Sequence, residues 1–134
     1  MESAEQFPVH KTDEEWRQAL SAEQYRVLRR HGTEPPGASE LNDEHRNGVF
    51  LCAACGAALF DSQAKFDSGT GWPSFFLPRE GAIATRQDRN SFRKRTEVHC
   101  ARCGGHLGHV FPDGPKPTGM RYCMNGVALK FDPG

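Results

Sequence analysis

This chain contains two nearly identical pentapeptides, Cys52-Ala53-Ala54-Cys55-Gly56 and Cys100-Ala101-Arg102-Cys103-Gly104, which indicate how it folds. Two Cys-x-x-Cys pairs supply four thiolates, the closed tetrahedral ligand set that is typical of a structural zinc site. The glycine after each second cysteine suits a tight turn in which backbone amides approach the sulfurs. We therefore predict one structural Zn2+, which clips together two hairpins distant in sequence and is bound by Cys52, Cys55, Cys100 and Cys103.

Alternative interpretations of these cysteines are two disulfides, four ordinary buried residues, or a thioredoxin-like redox pair, although that motif is usually single and precedes a helix. Residues 1–11 are polar and acidic, unlike a signal peptide, and no apolar run approaches the roughly 20 residues of a membrane span. We therefore expect a cytoplasmic protein. In a reducing compartment, five cysteines are more often metal ligands or reactive thiols than disulfides.

The overall charge argues against two classes of partner. Lys plus Arg and Asp plus Glu number 17 each, so neither nucleic acid nor a membrane surface is expected as the main partner. The basic run Arg89, Arg93, Lys94 and Arg95 is local and typical of a solvated loop or strand face. We expect a monomer.

Outward from the two cysteine pairs, the pattern predicts a mainly β fold in a single domain of 134 residues. Two capping boxes, beginning at Thr12 and Ser21, predict two helices within about residues 12–31, with Gly32 as the C-cap. From Val49 onward, short strands between turns imply an antiparallel sheet system. We expect a β-sandwich or barrel-like core over about residues 48–132, with the helices packed outside. The predicted strands are Val49–Cys52, Ala57–Phe60, Ile83–Arg86, Thr96–Cys100, Leu107–Phe111, Arg121–Met124 and Ala128–Phe131.

Cys123 is the one cysteine that is not among the four predicted zinc ligands. If its segment is a strand, Arg121, Cys123 and Asn125 share one face. An arginine near a thiol favours the thiolate, which is the nucleophilic form, and an asparagine amide can hold a substrate or order water. These three residues are candidates for a catalytic site, and the alternative is a buried structural cysteine.

Two further stretches carry candidate site residues. His106 and His109 place two imidazoles close together, and histidine is the usual acid-base partner of a nucleophilic cysteine. Gly108 between them suggests a bulge that turns both toward Cys123. The alternatives are a second metal pair or polar surface histidines. The glycine-rich, aromatic stretch 69–76 can present Trp72 and Phe75 as an apolar pocket wall, although core packing is the alternative for Phe75.

These motifs resemble the B-type methionine sulfoxide reductases, and the resemblance runs from about Trp16 to Phe131. It implies reduction of the R epimer of methionine sulfoxide in oxidised proteins, since one enzyme type serves each epimer. It implies that Cys123 is the nucleophile, that Arg121 stands next to it, and that Trp72 holds the sulfoxide methyl group. The acid and water-ordering positions of the family are His106, His109 and Asn125. The motifs are residues 32–34, the two cysteine pairs, and residues 65–69, 71–75, 106–111, 113–115 and 121–125.

One position departs from the family pattern. Many members carry a resolving cysteine in the glycine-rich loop where this chain has Thr70, and four of its five cysteines are assigned to the metal. We therefore expect Cys123 to become a sulfenic acid that thioredoxin, or glutaredoxin with glutathione, reduces from outside. Two rival interpretations remain: a non-catalytic zinc module that binds another protein, and a zinc hydrolase that uses His106 and His109.

Overall fold

The two N-terminal helices begin at the predicted capping boxes in the computed structural model, which describes residues 7–88 and 95–133, without the side chain of residue 88. Helix α1 spans Asp13–Ala19 and helix α2 spans Ala22–Arg30. The Thr12 hydroxyl accepts a hydrogen bond from the Glu15 N–H, and the Glu15 side chain accepts one from the Thr12 N–H. The second box makes the same exchange, so each helix has partners for N–H groups of its first turn.

The end of α2 differs from the prediction. His31, not Gly32, is the C-cap and adopts the left-handed conformation with φ of 59°. The Gly32 N–H donates to the Arg26 carbonyl at 2.9 Å. A Cβ at Gly32 would lie 2.6 Å from an Arg26 guanidinium nitrogen and 3.0 Å from its carbonyl oxygen. Gly32 is therefore required by a close approach, while His31 takes the positive φ that a glycine C-cap usually takes.

The β core begins at Gly48, and all of its strand pairings are antiparallel. The predicted strands are present, with ends that differ by at most two residues. The strands Lys65–Phe66 and Ser74–Phe75 were not predicted, because a strand of two residues shows no alternation. The strands are β1 Gly48–Cys52, β2 Ala58–Asp61, β3 Lys65–Phe66, β4 Ser74–Phe75, β5 Ile83–Asp88, β6 Arg95–Cys100, β7 His106–Phe111, β8 Arg121–Met124 and β9 Leu129–Pro133.

The strands form two sheets that contact each other through an aromatic cluster. The three-stranded sheet has the order β2-β1-β9, and the six-stranded sheet has the order β3-β4-β8-β7-β6-β5. Phe75 of the larger sheet stacks on Phe60 of the smaller one at 4.2 Å between ring centroids, and meets Phe50 edge-on at 5.0 Å. All three phenylalanines are fully buried. Across residues 7–88 and 95–133 neither sheet closes, so the core is a sandwich and not a barrel.

The helices cover one side of this core. Trp16, Leu20, Val27 and Leu28 are buried and join the same hydrophobic cluster as the sheet residues. Helix α2 contacts β7 and the short 3-10 helix Gly126–Ala128 that follows β8. In the described part of the chain, no helix has the length and apolar character needed to cross a membrane.

Candidate zinc site and candidate active site

The four predicted metal ligands meet at the ends of two hairpins. Cys52 ends β1 and Cys55 lies in the turn before β2, whereas Cys100 ends β6 and Cys103 lies in the turn before β7. The Cys52 and Cys103 sulfurs are 3.7 Å apart, the Cys55 and Cys100 sulfurs are 3.6 Å apart, and all four sulfurs lie within 4.8 Å of one another. Tetrahedral zinc at about 2.3 Å from each sulfur requires sulfurs about 3.8 Å apart. The cluster therefore has the dimensions of a zinc site.

The backbone of each cysteine pair is shaped as the sequence predicts. The Gly56 N–H donates to the Cys52 carbonyl and the Gly104 N–H donates to the Cys100 carbonyl, both at 2.8 Å. Both glycines have positive φ, 80° and 76°, which a residue with a Cβ rarely adopts. These turns bring the two thiols of each pair to the same side.

The four thiols lie so close together that each affects the protonation of the others. Hydrogen bonds from neighbouring cysteines raise the pKa of Cys52 and raise that of Cys103 to about 12. They lower the pKa of Cys55 to about 7 and that of Cys100 to about 2. Thiols this close compete for protons, and a Zn2+ ion that replaces those protons removes the competition. All five cysteines of the chain are free, so the disulfide alternative is not what the structure contains.

Cys123 lies in the wall of a separate cavity of about 310 Å3. The alternation predicted for β8 is present: Arg121, Cys123 and Asn125 line the cavity, while Met124 is fully buried in the core. The two neighbouring strands place Ser74 and His109 directly opposite Cys123. The full lining is Thr33, Thr70, Trp72, Arg95, Gly108, His109, Phe111, Arg121, Cys123 and Asn125.

Burial and polar neighbours act on the Cys123 thiol in opposite directions. Burial raises its pKa above the ordinary value, because a thiolate loses hydration in the cavity. Hydrogen bonds from Thr70 and Ser74, and the positive charge of Arg121, oppose this rise in pKa. The resting site therefore favours the thiol, and the polar groups reduce the free-energy difference that separates it from the thiolate.

Arg121 is held by partners on both sides. Its guanidinium donates two hydrogen bonds to the carboxylate of Asp113, at 2.9 and 3.2 Å, and lies 4.5 Å from the ring centroid of Phe111. Asp113 raises the pKa of Arg121, and Arg121 lowers the pKa of Asp113. The pair fixes a positive charge two residues from Cys123.

The bulge predicted between the two histidines is present. The register of β6 against β7 shifts by one residue between Gly108 and His106, so both imidazoles lie on one side with ring centroids 5.4 Å apart. His109 lines the Cys123 cavity, whereas His106 is buried and absent from the lining, so the expectation that both imidazoles face Cys123 is met by His109 alone. Gly108 is required here, because a Cβ would lie 2.1 Å from the Cys123 carbonyl oxygen.

His106 also belongs to a second cluster, in which His31, Glu97, His99 and His106 place ligand atoms within 4.8 Å of one another. An Arg86 guanidinium nitrogen lies 3.3 Å from His99 Nε2 and 3.5 Å from a Glu97 carboxylate oxygen. A fixed cation beside these atoms disfavours a metal ion at the same place. The cluster does not include His109, so it is not the metal pair that a zinc hydrolase built on His106 and His109 requires.

The two aromatic candidates separate in the structure. Trp72 lines the cavity, and its indole N–H donates to the Glu34 carbonyl at 2.9 Å. Phe75 is fully buried between Phe50 and Phe60 and is absent from the lining, so the expectation that it forms the pocket wall is not met. Phe111 provides the second aromatic wall instead.

Glu34 connects the cavity residues and was not a candidate from the sequence. Its buried side chain accepts hydrogen bonds from the N–H groups of Gly126 and Val127, at 2.8 and 2.9 Å. Its own N–H donates to Asn125 Oδ1 at 2.9 Å, and its carbonyl binds the Trp72 indole. Asn125 Nδ2 donates to the Leu107 carbonyl at 3.1 Å. The only signal in the sequence is the Gly-Thr-Glu motif of residues 32–34, which says nothing of these partners.

Comparison with known proteins agrees with this arrangement. The SelR domain model matches residues 20–133. Proteins named peptide methionine sulfoxide reductase MsrB are 57% identical to this chain in Thiobacillus denitrificans, over 92% of this chain and 94% of the relative. The protein of this name in Leifsonia xyli subsp. xyli is 57% identical, over 96% of this chain and 94% of the relative. The one in Leptospira interrogans is 50% identical, over 93% of this chain and 96% of the relative.

Among solved structures, the Mis18 'Yippee-like' domain is similar with a TM-score of 0.49 and 18% identity, over 65% of this chain and 96% of that domain, which carries no argument about function. The domain match includes both cysteine pairs and the Cys123 cavity, and the three relatives cover 92–96% of the chain. The chain therefore belongs to the family of B-type peptide methionine sulfoxide reductases.

Proposed function

We propose that this chain reduces the R epimer of methionine sulfoxide in oxidised proteins, with Cys123 as the nucleophile. The observation that carries the proposal is the position of Cys123. It is the one thiol outside the four-sulfur cluster, and it lies in a cavity that also contains an arginine, an imidazole, an amide and an indole. Membership of the family supports the reaction, and the cavity supports the assignment of the residues.

The reaction requires a nucleophile, a proton donor and a site for the S-methyl group. The Cys123 thiolate attacks the sulfoxide sulfur, and a proton is delivered to the sulfoxide oxygen, which is a poor leaving group until it is protonated. In net terms one oxygen atom passes to the Cys123 sulfur. The substrate sulfur is reduced by two electrons, the cysteine sulfur is oxidised by two, and the products are methionine and a sulfenic acid.

His109 is the better placed of the two histidines to act as the acid. It is directly opposite Cys123 in the adjacent strand and lines the same cavity. His106 is buried and contacts the His109 ring, so it positions that ring. Arg121 favours the charged form of the Cys123 sulfur. Asn125 contributes an amide to the cavity, and its hydrogen bonds to Glu34 and Leu107 fix the orientation of that amide.

Trp72 and Phe111 form the apolar walls that receive the methyl group. The indole is held by its hydrogen bond to Glu34, and the Phe111 ring is covered by the Arg121 guanidinium. An apolar wall selects the methyl substituent, while the polar side of the cavity faces the sulfoxide oxygen. Such a division distinguishes the two epimers at sulfur, because exchanging the methyl group and the oxygen places each against the wrong wall.

The zinc ion would be held by Cys52, Cys55, Cys100 and Cys103. When bound, it supplies fold stability and no reaction step, since four protein ligands leave no open coordination position. With those thiols engaged, an external thiol must reduce the sulfenic acid. We propose that thioredoxin, or glutaredoxin with glutathione, is this external reductant. We also propose that the enzyme is a cytoplasmic monomer.

The test is an assay on peptides that contain separated R or S methionine sulfoxide, with wild type and Cys123→Ser, in the presence of dithiothreitol. We expect wild type to reduce the R peptide at least 100-fold faster than the S peptide, and the serine variant to be inactive. Cys55→Ser is not a suitable control, because it removes a zinc ligand. Leu77→Ser, which changes an exposed residue outside the cavity lining, serves that purpose.

Thiol labelling separates the rival classes. A non-catalytic zinc module predicts that Cys123 reacts no faster than the zinc-bound cysteines. A hydrolase predicts a second metal ion and activity that survives Cys123→Ser. One rapidly alkylated cysteine, mapped to Cys123 with zinc retained, excludes the first rival.

A further inference from the structure

Three hydroxyl groups form a chain that ends at the sulfur of Cys123. Ser74 is fully buried and lies opposite Cys123 in the pairing of β4 with β8. The Ser74 and Ser68 hydroxyl oxygens are 2.7 Å apart, and those of Ser68 and Thr70 are 2.9 Å apart. The Thr70 hydroxyl oxygen is 3.9 Å from Cys123 Sγ. The chain therefore connects the core side of the cavity to the reacting atom.

The direction of these hydrogen bonds follows from the number of hydrogens. Each hydroxyl has one hydrogen, and two arrangements carry hydrogen bonds in one direction through all three hydroxyls. In the first, Ser74 donates to Ser68 and Ser68 donates to Thr70, so the Thr70 hydrogen can go to the Cys123 sulfur or to the Trp72 carbonyl oxygen, which is 3.5 Å away. In the second, Ser74 donates to the Trp72 carbonyl, 3.1 Å away, and the chain runs in reverse, away from the sulfur.

A negative charge on the sulfur selects the first arrangement, because it directs all three hydrogens toward the charge. The Thr70 oxygen then accepts hydrogen bonds from Ser68 and from the Trp72 N–H at 3.4 Å, which makes its own O–H a better donor. The 3.9 Å contact is long for a resting thiol and can shorten when the thiolate forms, since hydrogen bonds to charged acceptors are shorter.

Charged and titratable groups also face Cys123 from the neighbouring strands. Arg121 on β8 is shared with Asp113, His109 faces the sulfur from β7, and Arg95 lines the cavity from β6. The Thr70 hydrogen bond and the charge of Arg121 both lower the Cys123 pKa against the effect of burial.

We propose that Thr70 is a catalytic residue of this active site, whose hydroxyl donates a hydrogen bond to the Cys123 sulfur in its thiolate and sulfenate forms, with Ser68 and Ser74 as positioning residues. The inference rests on the proposed function, and it gives a chemical role to the position where relatives often keep a resolving thiol. In this chain Thr70 stabilises the charged sulfur, and an external thiol reduces the oxidised sulfur.

The test compares Thr70→Val, which keeps the shape and removes the hydroxyl, with Thr70→Ser, which keeps the hydroxyl. The rate constant for alkylation of Cys123 by iodoacetamide is measured from pH 6 to 10 on zinc-loaded protein, with the modified residue identified by peptide mapping. We expect Thr70→Val to raise the midpoint of the curve of alkylation rate against pH by about 0.5–1 pH unit. At pH 7.5 it should slow alkylation by roughly 3–10-fold. Thr70→Ser stays within about twofold of wild type.

Ser68→Ala provides a second measurement that does not depend on how Thr70→Val folds. It removes the donor to Thr70 and is expected to slow alkylation by about 2–3-fold. A Thr70→Val profile that overlays wild type overturns the inference, as does a Thr70→Ser profile that overlays Thr70→Val. Alkylation needs no sulfoxide, so an altered profile in protein that fails to reduce either peptide refutes the proposed function and leaves the hydrogen bond established.

Discussion

Glu34→Gln tests whether one buried side chain holds the active-site frame together. The two carboxyl oxygens of Glu34 accept hydrogen bonds from the N–H groups of Gly126 and Val127, at 2.8 and 2.9 Å, and the residue is 3% exposed. Glutamine keeps one acceptor oxygen and turns an NH2 donor toward the other N–H. One buried N–H then loses its partner, which costs about 1–3 kcal/mol of the free energy of unfolding.

The same substitution should disturb substrate binding, because the Glu34 backbone also binds the Trp72 indole and the Asn125 amide. We expect the KM for the R sulfoxide peptide to rise by roughly 3–10-fold with a smaller change in kcat, since wall and amide positions change while Cys123 and His109 stay paired.

Urea unfolding followed by tryptophan fluorescence measures the stability, and steady-state kinetics measure the KM. Glu80→Gln, at an exposed glutamate, is the matched control and should leave both quantities unchanged. Equal urea midpoints and equal KM values for Glu34→Gln and wild type would show that Glu34 neither stabilises nor positions the site.

Four further outcomes are expected. Metal analysis should find about one zinc per chain, and Cys52→Ser should lose both the zinc and the cooperative unfolding transition, because binding energy at such a site is folding energy. Phe75→Ala should lower the free energy of unfolding by about 3–5 kcal/mol, measured with urea, because it removes a fully buried ring. Because burial raises the pKa of Cys123, its alkylation rate should rise with pH and level off only above the ordinary thiol value of about 8.5; a plateau below pH 8 contradicts this. Thr70→Cys should give an internal disulfide with Cys123 after one turnover, detected by mass spectrometry, because residue 70 already contacts that sulfur.

The features that the sequence predicted correctly depend on local spacing. A capping box is complete within four residues, and both boxes begin helices where expected. Alternation along β8 and into the residue that follows it placed Cys123 and Asn125 on one face, and a glycine between two histidines indicated the bulge in β7.

The features that it missed depend on contacts between distant segments. Glu34 binds Asn125 across a separation of 91 residues, and no pattern near Glu34 indicates that partner. Phe75 and Phe111 are both aromatic residues beside a motif, and only the packing of the two sheets decides which enters the core. His31, which adopts the left-handed conformation, likewise has a distant partner, because its ring centroid lies 5.1 Å from that of His106.

The four-cysteine cluster and the Cys123 cavity are separate in space but linked through the strands. Cys52 ends β1, where it pairs with Leu129 of β9, the strand that follows Asn125. Cys100 ends β6 and is joined by its turn to β7, which carries His109. A metal at the cluster therefore fixes the two sheets relative to each other at the ends of the strands that position the amide and the imidazole. Loss of the metal should accordingly reduce activity through the geometry of Asn125 and His109, although none of the four sulfurs lines the cavity.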